Sequence, residues 1–251
     1  MQDKWEECMK KTLSMSLLCA GLIFSFVCYA GPFDDVLKGV KIPQIGSTGE
    51  PDEATTASGL KEALSIGSGN AVTSVSRSDG YFTNQAIKIL FPDKIQTVAE
   101  VLKKVGYQKQ VDDFVLSMNR AAEAAAPKAR QFFVDAIKQM TFQDAMQIYR
   151  GNETAATEYF KSKTFDSIYA AFKPSVSESM NKVGVTKSYK DMIGTYTNSI
   201  PFAKVESLDL DHYVTTKSLD GLFYMLGEEE KKIRTNPAAR VTDLLKKVFG
   251  K

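Results

Sequence analysis

Reactive side chains are scarce in this chain. Of its 251 residues, three are cysteine, one is tryptophan and one is histidine. All three cysteines (Cys8, Cys19, Cys28) and Trp5 stand near the N-terminus. The remainder therefore has no disulfide, no thiolate nucleophile and no cysteine metal ligand. With His212 as the lone histidine, zinc sites built from several histidines are excluded. Net charge is only +2, from 32 basic and 30 acidic residues. That lacks the basic excess of nucleic-acid-binding proteins, so no nucleic-acid partner is expected. No serine lies in a Gly-x-Ser-x-Gly elbow, and Ile66-Gly67-Ser68-Gly69 only echoes one. Gly67 and Gly69 also lack the preceding strand and the third glycine of a dinucleotide fingerprint.

What is present begins with a leader. Lys10 and Lys11 precede an uncharged apolar run from Leu13 to Val27, followed by Cys28-Tyr29-Ala30. This is the order of a secretory signal, with the cut expected after Ala30. The run is shorter than the roughly 20 residues a spanning helix needs. Asp3, Glu6 and Glu7 suit a positively charged start poorly, so Met9 is the expected start of translation. A lipoprotein fits less well, because Cys19 follows Leu18 and Cys28 follows Val27, neither of them small. The expected location is outside the cytoplasm, most simply the periplasm.

Residues 31–58 read as a linker, with Pro43, Gly46, Gly49 and Pro51 in its centre and a short helix expected over Phe33–Val40. Residues 59–251 read as one all-α, bundle-like domain. Ile95, Val98, Val101, Leu102 and Val105 repeat at helical spacing, opened by Pro92-Asp93 and closed by Gly106. Asn84 to Phe91 is expected to form a short amphipathic helix. Val111 to Met140 carries two helices, or one kinked at Pro127. Thr141 with Asp144 makes a near capping box. Pro174 is expected to break the aromatic helix that follows, and Gly184-Val185-Thr186 and Phe202–Leu208 to connect helices. Asp209 starts a long helix through Arg234, with Glu228–Lys232 and Glu230–Arg234 spaced as exposed pairs. Asn236-Pro237 opens a last helix to Phe249.

Several groups could carry function. Asp209, Asp211 and His212 place carboxylates beside the histidine, suggesting a base or a ligand. Helix capping by Asp209 explains the same residues more simply. Arg120 sits among alanines with Glu123 three residues on, either as an internal pair or as an anion site. Phe132, Phe133, Tyr159, Phe160 and Phe172 could line an apolar groove, with core packing the plainer use of each. The last helix shows Val241, Leu244, Leu245, Val248 and Phe249 on one face with Lys246, Lys247 and Lys251 nearby. Such a helix docks on the body or touches a membrane surface. No cofactor, metal or catalytic residue is expected. The leading reading is an exported, non-enzymatic binding or interaction module for a protein or an apolar small molecule. The alternatives are a carboxylate- or histidine-dependent enzyme and a structural envelope component.

Distinctive stretches run through most of the chain. They include Gly59-Leu-Lys-Glu-Ala-Leu, Asp79-Gly-Tyr-Phe-Thr-Asn, Asn119-Arg-Ala-Ala-Glu, Met140-Thr-Phe-Gln-Asp-Ala and Ala155-Ala-Thr-Glu-Tyr-Phe. The longest begins Asp209-Leu-Asp-His-Tyr-Val-Thr-Thr-Lys-Ser-Leu-Asp-Gly-Leu-Phe and resumes at Glu228 and Asp243. In these the chain resembles an uncharacterised bacterial family, numbered 4197 among domains of unknown function. Ser218 departs from the alanine expected in that pattern. The resemblance implies an exported helical domain and assigns no activity.

Overall fold

The computed structural model describes residues 52–182, 184–199 and 209–250. The expected signal and most of the expected linker lie outside these residues, as does Phe202–Leu208. Within them the chain is helical, with no strand. The helices are α1 (Glu53–Ser76), α2 (Asp93–Lys104), α3 (Gln108–Ala125), α4 (Ala129–Gln139), α5 (Phe142–Arg150), α6 (Ala155–Lys182), α7 (Val185–Ser199), α8 (Leu210–Thr235) and α9 (Asp243–Phe249).

Local signals set many of the ends. The Thr141 hydroxyl accepts from the Asp144 backbone N–H while the Asp144 carboxylate takes the Thr141 N–H, a complete capping box at the start of α5. Asp209 caps α8, and Thr242 caps α9. After α2 the chain turns at Gly106, whose φ of +98° suits a residue without a Cβ. The α3–α4 junction is a single 3-10 turn, Ala126–Lys128, around Pro127. Asp52 caps α1, which therefore starts at Glu53, inside the stretch expected to be linker.

Three long helices make the centre. α8 lies against α1 and α6, and α6 also packs on α3. Phe114, Met118, Phe133, Phe160, Ile168 and Phe172 fill the space between them. Ala121, Ala122, Ala125, Ala126 and Ala129 are wholly buried, a thin surface that lets neighbouring helices approach closely. Gly59 serves the same purpose for α9. A Cβ there would come within 2.6 Å of the Val248 side chain. Leu245 and Val248 are buried in this contact, so the apolar face of α9 is turned onto α1, with Lys246 and Lys247 exposed.

Four expectations change. Pro174 does not break α6, which runs unbroken from Ala155 to Lys182. A proline inside a helix costs about 3 kcal/mol. Phe172, Val176 and Met180 are fully buried around it, each side chain contributing about 1.5–3 kcal/mol, so packing outweighs the defect. Asn84–Phe91 is not helical. A turn over 84–88 opens into irregular chain, burying Ile87 and Ile89 at a spacing of two and leaving Leu90 58% exposed. Val185 and Thr186 belong to α7, which Gly184, at φ +78°, immediately precedes. The expected last helix is split into a 3-10 turn, Pro237–Ala239, and α9, which starts afresh at its own Thr242 cap, while the Arg240 side chain between them donates to the Ile233 and Arg234 carbonyls.

The pairs expected to be exposed on α8 also differ. Lys232 pairs with Glu229 rather than Glu228. Glu230 and Arg234 do pair, but inside the protein. Glu230 accepts from the Ala156 and Thr157 N–H groups at the start of α6, and Arg234 donates to the Ile148 carbonyl at the end of α5. Helix ends leave such groups unsatisfied. One ion pair on α8 therefore fixes the α5–α6 corner.

Candidate functional site

The segment between α1 and α2 carries the most specific geometry. Asp79 adopts φ +65°, a conformation Asp tolerates better than most residues. Gly80 follows with its α-carbon against α1; a Cβ there would lie 2.5 Å from the Ser74 carbonyl oxygen. Two side chains of α3 then hold what comes next. Glu123, almost wholly buried, accepts from the backbone N–H groups of Tyr81 (3.1 Å) and Phe82 (3.3 Å). Arg120 donates to Glu123 at 2.6 Å and to Asp79 at 2.7 Å. These partners hold the Arg120 guanidinium more firmly protonated than usual. Asn119, one residue earlier and fully buried, accepts from the Ile89 N–H and donates to the Ile89 carbonyl, both at 2.9 Å. With both backbone groups of Ile89 engaged by Asn119, no helical ladder runs through it, which explains the irregular chain.

Tyr81 closes the arrangement. Its phenol donates to the Ser218 carbonyl at 2.6 Å, and its ring passes over Gly221, where a Cβ would come within 2.6 Å of it. Burial, then Glu123 and Asp220, raise the Tyr81 pKa far above the ordinary tyrosine value. Tyr213 donates to the Leu90 carbonyl at 3.0 Å. The 79–91 segment is thus fixed to α3 at both ends and to α8 by two phenols.

This segment floors a cleft of about 680 Å³ between α2 and α8. The α8 wall presents Tyr213, Lys217, Asp220 and Tyr224, spaced along one helix face. The α2 wall presents Asp93, Gln96, Glu100 and Lys103. The floor is apolar, formed by Ile87, Ile89, Phe91 and Val115. Two of the exposed large apolar side chains of the molecule, Leu90 and Tyr224, border it. Burial, then Asp93, pushes the Tyr213 phenol up to about 12. The hollow bordered by Leu64, Ile233 and Glu230 is far smaller, about 20 Å³, the space of a single water.

With the geometry in place, comparison with known proteins gives one match. The family described as "Protein of unknown function (DUF4197)" matches residues 50–250. The chain belongs to this family. No curated protein and no solved structure matches it. The match covers every helix described above, and the family assigns none of them an activity.

In this DUF4197 chain the polar residues singled out in the sequence fall into two places that share no partner. Arg120 and Glu123 form the pinned pair beside Asp79. Asp209 caps α8 by accepting from the His212 N–H, and lies 3.8 Å from Lys173. The His212 ring is exposed and bonds the Tyr169 hydroxyl through Nδ1 at 2.7 Å. Asp211 has no ion pair among the described residues. No group of three metal-ligating side chains converges among them either. Of the aromatics, Phe133, Phe160 and Phe172 are fully buried, with Phe133 and Phe160 meeting edge to face at 5.1 Å. Phe132 and Tyr159 instead border a surface hollow with Asp135, Asp144 and Lys163. The sequence gives no sign of the cleft, of the role of Tyr81 or of the bonds from Asn119 to Ile89. The Asp79-Gly-Tyr-Phe-Thr-Asn and Asn119-Arg-Ala-Ala-Glu stretches were visible there, but not that each holds the other.

Proposed function

We propose that this protein is an exported, non-enzymatic binding module of the cell envelope, and that the cleft between α2 and α8 is its binding site. One observation carries the reading. The floor of the cleft is irregular chain held in a single conformation by buried side chains, Asn119 and Glu123. An unstapled loop would have to be ordered on binding, whereas this one is ordered beforehand, which lowers the entropic cost of association. Apolar floor, phenols and rim charges are the ingredients of a recognition surface. The leader Lys10–Ala30 supports export.

The test is site-specific photocrosslinking in living cells. A benzophenone side chain is placed at Leu90 or Tyr224, with exposed Glu153 as the control position. Discrete adducts from the first two, recovered in the osmotic-shock fraction and missing from the control, are expected. Equal labelling at all three positions, or adducts confined to the cytoplasm, would overturn the reading.

A further inference from the structure

We propose that the cleft takes an extended segment of a partner polypeptide, which pairs through its own main chain with the Lys88 carbonyl and the Leu90 N–H. The proposal deepens the cleft reading and depends on it. Charge does not choose the occupant. In the lining Lys88, Lys103 and Lys217 stand against Asp93, Glu100 and Asp220, three of each sign. The backbone of the floor is more particular. The Asn119 side chain, fully buried, engages both the N–H and the C=O of Ile89. One amide reaches both groups of one residue only where they point the same way, as they do in a strand. A neighbouring strand makes the same pair of bonds. Asn119 therefore stands where a strand would lie, on the α3 side of Ile89.

Successive residues of a strand turn their backbone groups to opposite sides. The side chains next to Asn119 alternate in the same way, with Ile87 and Ile89 buried, Lys88 half-buried and Leu90 exposed. The Lys88 C=O and the Leu90 N–H are thus turned away from Asn119. Neither has a partner among the described residues. The other two groups on that side are engaged: the Lys88 N–H donates to the Asn84 carbonyl at 2.9 Å, and the Leu90 C=O accepts from Tyr213 at 3.0 Å. One acceptor and one donor remain, two residues apart. In a parallel pairing a single residue of the partner meets both, donating its N–H to Lys88 and accepting from Leu90. The side chains before and after that residue then lie on the same face as Leu90, one of the exposed apolar groups bordering the cleft. Main-chain bonds give such an addition its affinity, and side-chain contacts give it selectivity. A lipid chain offers neither the donor nor the acceptor.

The experiment is nuclear magnetic resonance titration of the isotopically labelled full mature chain. The first probe is an uncharged pentapeptide of alternating threonine and valine, acetylated and amidated at its ends. The second is the same peptide N-methylated at every residue, which donates no main-chain bond from them. The first should move the Leu90 amide proton downfield and slow its exchange with solvent. The second should bind about five- to tenfold more weakly. Leu90→Pro removes the open N–H without breaking a bond of the fold, and Ile89 before it is already strand-like, as proline requires. It should weaken the first probe by the same factor, and Leu90→Ala should weaken it less. Thermal melts of the two variants, expected to coincide, separate lost binding from lost folding. Equal binding of the two peptides overturns the main-chain pairing, as does equal binding of the first to the two variants. Shifts confined to other surfaces, or no binding by the first peptide, also overturn it. The comparison of peptides uses the unaltered protein, so it decides the matter whatever the variants do. The cleft reading itself falls only if the Leu90 and Tyr224 crosslinks are lost as well.

Discussion

Behind α8 the cleft backs onto the main core, where Phe114, Phe133, Phe160 and Phe172 are wholly buried and Glu123, Asn119 and Glu230 tie backbone to side chain. Across the cleft, α2 rests on a separate cluster of six buried residues: Ile95, Val98, Ala99, Leu102, Val111 and Met192. Among the described residues no buried charged group reinforces that smaller cluster. It joins the main core through aromatic contacts, Phe91 at 5.1 Å and Tyr189 at 5.9 Å from the Phe114 ring. One wall is thus tied by buried polar bonds, whereas the other is held by apolar packing and the half-exposed Lys103–Asp112 pair. Regions with less buried surface open at lower free energy than the core. The α2 wall should be the one that adjusts to a partner.

The largest effect is expected on the rigid side. Glu123→Ala removes the acceptor of two backbone N–H groups and the partner of Arg120, and should cost about 3–5 kcal/mol in urea denaturation. Arg120→Ala should cost less, since its side chain is 31% exposed and its loss leaves the Tyr81 and Phe82 bonds in place. If the two losses prove equal, the carboxylate is not the anchor argued for here. On the other wall, Leu102→Ala should cost about 2–4 kcal/mol, felt mainly as faster amide exchange along α2 while α6 and α8 keep their protection. Uniform acceleration throughout would show that the two clusters unfold as one. The smallest effect has the opposite sign. The Thr215 hydroxyl is buried on α8 with no hydrogen-bond partner among the described residues. Thr215→Val keeps the shape and removes the unsatisfied group, so the melting temperature should rise, by the equivalent of about 1 kcal/mol.

What the sequence reveals follows the range of each interaction. Thr141 with Asp144, Asp209 with His212 N–H, and Gly106 after α2 act within a few residues, and all three are legible from spacing. Glu230 and Arg234 were legible as a pair, but their burial depends on α5 and α6, about 75 to 85 residues away. Pro174 misleads because a local rule predicts a break that packing from α3 and α8 overrides. Asn84–Phe91 misleads for the converse reason. Its apolar spacing suits a helix, yet Asn119, thirty residues on, takes the backbone groups a helix would need. The floor of the cleft is built from such distant bonds, so the candidate site was the least readable part of the molecule, although nearly every helix around it could be placed.

The bond from the Tyr81 phenol to the Ser218 carbonyl has a further consequence, because it joins residues 137 positions apart. As the chain is synthesised, Tyr81 emerges long before α8 exists. Until α8 arrives, the phenol has no acceptor and the ring has no Gly221 to lie across. Closing so long a loop is slow compared with forming the local helices. The cleft is therefore complete only once α8 is in place. The cleft is thus a property of the finished fold and of no shorter piece of it.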